Sequence, residues 1–348
     1  MEKHHKPIEL NALDAKKKKS MTSRILVGIV LAAVALPALF VGSWFWFALM
    51  SFFLGFATYE IIHARNKKYH WFIWAFTYFI VIVYVYWFLF KSNMTEYIKL
   101  KDIGQAGKWT FELERWYEEP VLSIYAALSA MGVYFIVALI DKDFDFFDVC
   151  YFFLMTILVG MGFQCLMYLR FHPFNVFYGS AFDQSPDALF RFWSSTVLLV
   201  FVVLCAFGND TMAYFTGVFI GKHQMTPRIS PNKTWEGFLG GWLLGGSLAL
   251  GFALICDACG FPLLPALAVF SGAHKWWGVV ILSYSLPIIA VVGDLTFSLI
   301  KRYFGFKDYG TLLRSHGGVL DRVDSLIFCS ILCSILVVIL EKGWRFFI

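Results

Sequence analysis

Two polar stretches in the last third of the chain hold many of the groups able to do chemistry. The first begins at Asp294 and continues through Ser298 to Lys301 and Arg302. Asp294 and Ser298 are four apart, and Lys301 lies three beyond Ser298, so a helix puts carboxylate, hydroxyl and ammonium on one stripe. The second reads SHGGVLDRVDS from Ser315 to Ser325, with Asp321 and Asp324 three apart on one helical face. A carboxylate at a helix start also suits the helix dipole, which accounts for one Asp better than two. Carboxylate oxygens suit hard cations, and Mg2+ is usually held by one or two of them plus substrate phosphates. Asp294 and Asp321 are therefore the candidate metal ligands. Lys301, Lys307 and Arg322 can neutralise charge building on phosphoryl oxygens. Gly317 and Gly318 allow positive φ and close backbone approach to a ligand. For His316, proton transfer, a phosphate contact and a structural role all stay open.

A further polar set lies upstream. Asp210, in Gly208-Asn-Asp-Thr-Met-Ala-Tyr214, follows an apolar run, where an unpaired ionisable group is costly. Its plain reading is a helix-end cap. Residues 228–237 read RISPNKTWEG. Pro227 and Pro231 stiffen this segment, Ser230, Asn232 and Thr234 offer donors, and Arg228 and Lys233 offer positive charge. Thr234 stands where an N-cap would precede the next helix. Helix N-termini flanked by Lys and Arg suit phosphate, although an ordinary basic loop fits these residues equally well. Together the two regions suggest a membrane enzyme acting on a polyphosphate, with paired-metal in-line displacement as one available chemistry.

The elements that must position these groups are membrane helices. The chain of 348 residues is 59% hydrophobic and 15% charged, against about 45–50% and about 25% for soluble domains. Mean hydropathy is +0.67 and Phe alone contributes 39 residues, which excludes a soluble domain. The expected architecture is all-α and polytopic. Nine apolar runs are long enough to span: 25–41, 44–62, 70–90, 121–140, 146–169, 192–207, 235–256, 277–300 and 323–340. The sixth is short and can continue through Ala213–Ile220, and Phe261–Phe270 can dip in without crossing. The expected organisation is a basic tail over 1–23, N-terminal helices over 24–190 with a polar loop near 91–120, and a catalytic region over 191–348.

Lys16–Lys19 read as a topology signal rather than a lipid or nucleic-acid contact, and no cleavable signal peptide is expected. With the N-terminus in the cytoplasm, the loops 63–70, 208–234 and 301–322, rich in Lys and Arg, fall on the same side. The acidic loop 141–148 is the exception. Net charge is a mild +5, and no nucleic-acid partner is expected. Most of the seven Cys sit in apolar runs as packed thiols. The single CxxC at Cys256–Cys259 is a weak metal or redox signal.

At this point the motifs resemble a family. Ser298-x-x-Lys-Arg302, Lys307-Asp308-x-Gly310 and His316-Gly-Gly-x-x-Asp-Arg-x-Asp324 are similar to the signature of phosphatidate cytidylyltransferase, also called CDP-diacylglycerol synthase. Ser230-Pro-Asn-Lys-Thr-Trp-Glu-Gly237 and Asp210-Thr-x-Ala-Tyr214 resemble its other familiar segments. Met212, often Gly there, and Arg314, usually Pro, Gly or Ser, depart from the pattern. The motif resemblance covers about 210–325; the first 200 residues match only as repeated spans. It implies that CTP and phosphatidate become CDP-diacylglycerol and pyrophosphate, with Mg2+ as cofactor and a second, monovalent cation left open. It also implies a multi-pass protein of a bacterial inner or organelle membrane with a cytoplasmic site, in which a homodimer is open. Catalytic roles fall on Lys301, His316, Asp321, Arg322 and Asp324. Asp210, Arg228, Ser230, Asn232, Lys233, Thr234, Ser298, Lys307, Asp308, Gly317 and Gly318 would meet substrates. The alternatives are a CTP-dependent lipid or polyprenol kinase, which would transfer the γ-phosphoryl group, and a transporter, which intramembrane charges also mark.

Overall fold

The structure is a computed structural model that describes residues 43–83, 122–171, 196–310 and 317–342, together with 33, 35, 37–40 and 85. The helices are α1 (Ser43–Ala64), α2 (Trp71–Val83), α3 (Leu122–Ile140), α4 (Phe146–Phe171), α5 (Thr196–Ile220), α6 (Trp235–Ala258), α7 (Trp277–Tyr303) and α8 (Leu320–Lys342). Six of them, α1 and α4 to α8, are long and apolar enough to cross a membrane among the described residues. They are apolar nearly all round, which is the pattern of helices set in a bundle and lipid rather than in water. The expected spans 44–62, 146–169, 192–207, 235–256, 277–300 and 323–340 thus have counterparts. That at 121–140 coincides with α3, of 19 residues, that at 70–90 meets the shorter α2, and most of 25–41 and all of loop 91–120 lie outside the described residues. The number nine is not reached among the described residues.

The sixth run takes the longer of its two expected forms. It does not stop at 207: α5 passes through a π-helical turn at Leu204–Gly208 and stays helical to Ile220. Asp210 therefore sits inside a span and does not cap a helix end. A second π turn, Gly241–Gly245, interrupts α6. The two turns meet where Gly245 packs on Asn209: a Cβ added there would lie 2.9 Å from the Asn209 Cα. Wide turns of this kind often accompany functional sites. Phe261–Phe270 contains a 3-10 turn at Pro265–Leu267 with Leu263, Leu264 and Leu267 buried against the bundle.

α8 packs against both α7 and α4, so the C-terminal region shares its core with the N-terminal helices. Small residues let the backbones approach, as is usual between membrane helices. A Cβ on Gly162 would overlap Ile327 of α8, and one on Gly293 of α7 would lie 3.0 Å from the Asp324 carbonyl.

One end of the bundle carries the polar loops. The acidic loop 141–148 belongs there because its charges are matched by the neighbouring basic loop. Asp148, fully buried, accepts from Arg65 Nε at 2.8 Å and Nη2 at 2.5 Å, from Lys67 Nζ at 2.6 Å and from the Tyr69 hydroxyl at 2.8 Å. The Arg65 guanidinium also lies 4.5 Å from the Phe304 ring centre, just past the end of α7. At this end, residues 224–234 form an antiparallel hairpin, β1 (Gln224–Thr226) and β2 (Ser230–Thr234), pairing Gln224 with Thr234 and Thr226 with Ser230. Pro227, Arg228 and Ile229 make its turn. Among the described residues this hairpin is the exception to an all-α fold.

Candidate active site

α7 presents the stripe expected of it. The Ser298 hydroxyl donates to Asp294 Oδ1 at 3.3 Å, one turn apart, and Lys301 continues the row. The hairpin reaches onto this stripe: Lys233 Nζ lies 2.5 Å from Asp294 Oδ2, and Arg302 Nε donates to the Ile229 carbonyl at 3.4 Å. The RISPNKT segment is thereby held over the end of α7. Thr234 caps α6 as expected, accepting the Gly237 N–H at 3.1 Å with extended backbone, so its hydroxyl serves the helix.

The carboxylates fall into two groups. Asp294, Asp324 and Asp210 lie within electrostatic reach of one another. Three helices contribute to this group: α7, α8 and α5. The close α7–α8 crossing at Gly293 brings Asp324 to Asp294. Asp321 makes its direct contacts with a lysine and with backbone. Its Oδ1 accepts from Lys301 Nζ at 2.7 Å, and its Oδ2 accepts the N–H groups of Tyr309 and Gly318, each at 2.9 Å. Asp321 thus fastens the loop between α7 and α8, and Asp294 has Asp324 and Asp210 within electrostatic reach.

The two glycines before α8 are required for different reasons. Gly317 has φ +78°, which favours glycine, and its Cβ would stand 2.9 Å from Asp321 Oδ2. At Gly318 the close approach is to a protein group: a Cβ would lie 2.5 Å from Glu60 Oε2. Glu60 is 2% exposed and was not among the residues singled out from sequence. The available signal was a lone acid inside the apolar run 44–62. Tyr309 was also missed; it is buried, and its role rests on its backbone N–H.

Arg228, Asn232, Lys307, Asp308 and Arg322 are exposed at the same end, Ser230 is half-buried, and His316 lies outside the described residues. Asp308 lines a cavity of about 950 Å3 along α1 and α2, together with Tyr59, Glu60 and His63.

The donor set tests whether a metal fits. Carboxylates outnumber the lysines touching them, and the available ligands are oxygen, which suits a hard cation. Among the described residues no three of His, Cys, Asp or Glu form a cage able to hold a metal ion. An incomplete set of this kind fits Mg2+ completed by substrate phosphates. The same observation leaves Cys256 and Cys259 as free thiols.

Comparison with known proteins bears on the whole chain. The model of the cytidylyltransferase family matches residues 22–340. A phosphatidate cytidylyltransferase of Staphylococcus saprophyticus is 30% identical over 262 residues, covering 72% of this chain and 84% of that protein. One of Staphylococcus haemolyticus is 33% identical over 233 residues, covering 67% and 73%. One of Brucella abortus is 40% identical over 136 residues, and that match takes in 39% of this chain and 44% of the relative's length. With the match running through the helices, the hairpin and both carboxylate groups, the chain belongs to the cytidylyltransferase family.

Proposed function

We propose that the protein is a phosphatidate cytidylyltransferase: a phosphate oxygen of phosphatidate attacks the α-phosphorus of CTP, the bond from that phosphorus to the bridging oxygen breaks, and pyrophosphate leaves. The observation that carries this reading is the carboxylate group of Asp294, Asp324 and Asp210, with Lys233 and Lys301 beside it at one end of a membrane bundle. A lipid phosphate reaches such a place from the bilayer and a nucleotide reaches it from water. The relatives' names support the same substrates.

A phosphate monoester is already an anion near neutral pH, so the chain has no need of a strong base. Its task is to bring two anions together. Mg2+, held by Asp294 with Asp324, would supply Lewis-acid charge stabilisation at the phosphoryl oxygens. Lys233 and Lys301 would exchange carboxylate contacts for phosphate contacts, and the departure of Lys301 would free Oδ1 of Asp321 toward a cation. Arg228, Lys307 and Arg322 would draw phosphates to the mouth. Ser230, Asn232 and Ser298 would orient the nucleotide or headgroup, with Asp308 at the rim and His316 on the phosphates. The polar end would face the cytoplasm, by the excess of Lys and Arg in loops 63–70, 221–234 and 301–322.

The test uses purified protein, phosphatidate in mixed micelles, Mg2+ and CTP labelled in either cytidine or the γ-phosphate. Cytidine label in lipid with stoichiometric pyrophosphate supports the reading. Label entering lipid only from the γ-phosphate would make the protein a kinase.

A further inference from the structure

Glu60 lies in the N-terminal half, 259 residues before its nearest hydrogen-bond partner. One oxygen accepts the Val319 N–H at 2.7 Å and the other accepts the Leu320 N–H at 2.9 Å. Both donors stand where α8 begins, and α8 has 23 residues. The first N–H groups of a helix lack partners within it, and the dipole favours an anion there. The same carboxylate touches both ends of the α7–α8 loop: a Cβ on Gly310 would lie 2.7 Å from Oε1, and one on Gly318 would lie 2.5 Å from Oε2. Asp321 grips that loop from within, through the Tyr309 and Gly318 N–H groups. The loop is therefore held between two carboxylates, one from α8 itself and one from α1.

We infer that Glu60 is a positioning residue for cytidylyl transfer. It fixes the backbone of Gly318–Leu320, and through it the direction in which Asp321 meets Lys301 and Asp324 meets Asp294. Burial and two donors on two oxygens are more than a membrane anchor needs, because a buried acid in a span is costly unless its site uses it. The N-terminal helices accordingly serve the site, and do not only hold the chain in the bilayer. Displacing a catalytic group by about 1 Å can cost on the order of 10²-fold in rate.

The experiment compares the full chain in detergent micelles as wild type, Glu60→Gln, Glu60→Asp and Glu60→Ala. Three quantities are read: kcat and KM per folded protein, thermal midpoint, and amide hydrogen exchange across residues 317–326. Glu60→Gln keeps the shape but turns one acceptor into a donor facing an N–H. The expected result is a kcat lower by about ten- to a hundredfold for Gln and Ala, KM for CTP moved much less, and faster exchange at the start of α8. Formate added to Glu60→Ala, reaching the vacated position from the adjoining cavity, should restore part of kcat. It should do nothing for Glu60→Gln, whose side chain still fills the position.

Wild-type kcat per folded protein with unchanged exchange in Glu60→Gln would overturn the inference. So would a loss of activity that only follows the fraction unfolded. If Glu60→Ala does not fold, the Gln and Asp variants decide by the same readouts. The kinetic arm rests on the cytidylyltransferase reading. If wild-type protein makes no CDP-diacylglycerol, that reading fails, and the exchange data still decide whether Glu60 holds the start of α8.

Discussion

Neutralising Asp321 should destabilise the protein through Lys301, and the size of the effect follows from their burial. The two side chains are 10% and 8% exposed, 2.7 Å apart. Removing one partner of a buried pair typically costs about 3–5 kcal/mol, because the other charge stays behind uncompensated. Asp321→Asn can still accept from the Tyr309 and Gly318 N–H groups through its carbonyl, but its amide then points NH2 at the lysine ammonium. Three features reduce the cost. Lys301 lies 5.5 Å from the Tyr309 ring centre, it remains within electrostatic reach of Asp324, and Glu60 no longer faces a second charge at 321. The expected loss is therefore at the lower end, about 3 kcal/mol. Lys301→Met should lose a similar amount. The double variant Lys301→Met with Asp321→Asn keeps the two backbone bonds and leaves no stranded charge, so it should be no less stable than either single variant. The assay is equilibrium unfolding in mixed micelles against the mole fraction of dodecyl sulfate, followed by near-ultraviolet circular dichroism. Single-variant losses that add in the double variant to within about 0.5 kcal/mol would refute the coupling. So would a loss below about 1 kcal/mol for Asp321→Asn, since that is the scale of an exposed pair.

Asp294→Asn and Asp324→Asn should each depress CDP-diacylglycerol formation most strongly at limiting Mg2+, with partial recovery as Mg2+ rises; near wild-type rates at limiting Mg2+ in both would dismiss the metal assignment. Thr234→Val removes the cap of α6 and should cost about 1 kcal/mol in the same unfolding assay, whereas Thr234→Ser should cost little. The clamp between loops 63–70 and 141–148 makes a prediction about pH. At Asp145, slight burial pushes the pKa up, but the Asp148 N–H and the Lys67 ammonium outweigh it and hold the carboxyl below its usual range. A depressed carboxylate pKa contributes stability that is present above about pH 4 and is lost as pH falls through the folded value. At Lys67, burial pulls the pKa down, but Asp148 and Asp145 outweigh it and raise it, so that contribution holds below about pH 10.4 and is lost above it. Stability profiles of Asp145→Asn and Lys67→Met should each flatten at the corresponding limb; unchanged slopes would show that the clamp does not titrate with folding.

Composition and apolar run length alone determined that this is a helical membrane protein, because a hydrocarbon core admits few other solutions. Local spacing also determined the Asp294–Ser298 contact and the Thr234 cap, since both lie within one helical turn. Charge counting brought the basic loops to one end, and it left the acidic loop 141–148 unexplained until Asp148 was seen to accept from Arg65, Lys67 and Tyr69. Only the tertiary structure decided which carboxylate faces which. Asp321 and Asp324 share a helical face by spacing, but the α7–α8 crossing at Gly293 brings Asp324 to Asp294, while the loop turning through Gly317 gives Asp321 to Lys301 and two backbone N–H groups. Likewise only the fold brought Glu60 to the start of α8. Helical periodicity encodes neighbours three or four residues apart; a hydrogen bond across 259 residues depends on how α1, α4 and α8 pack, which no local pattern records.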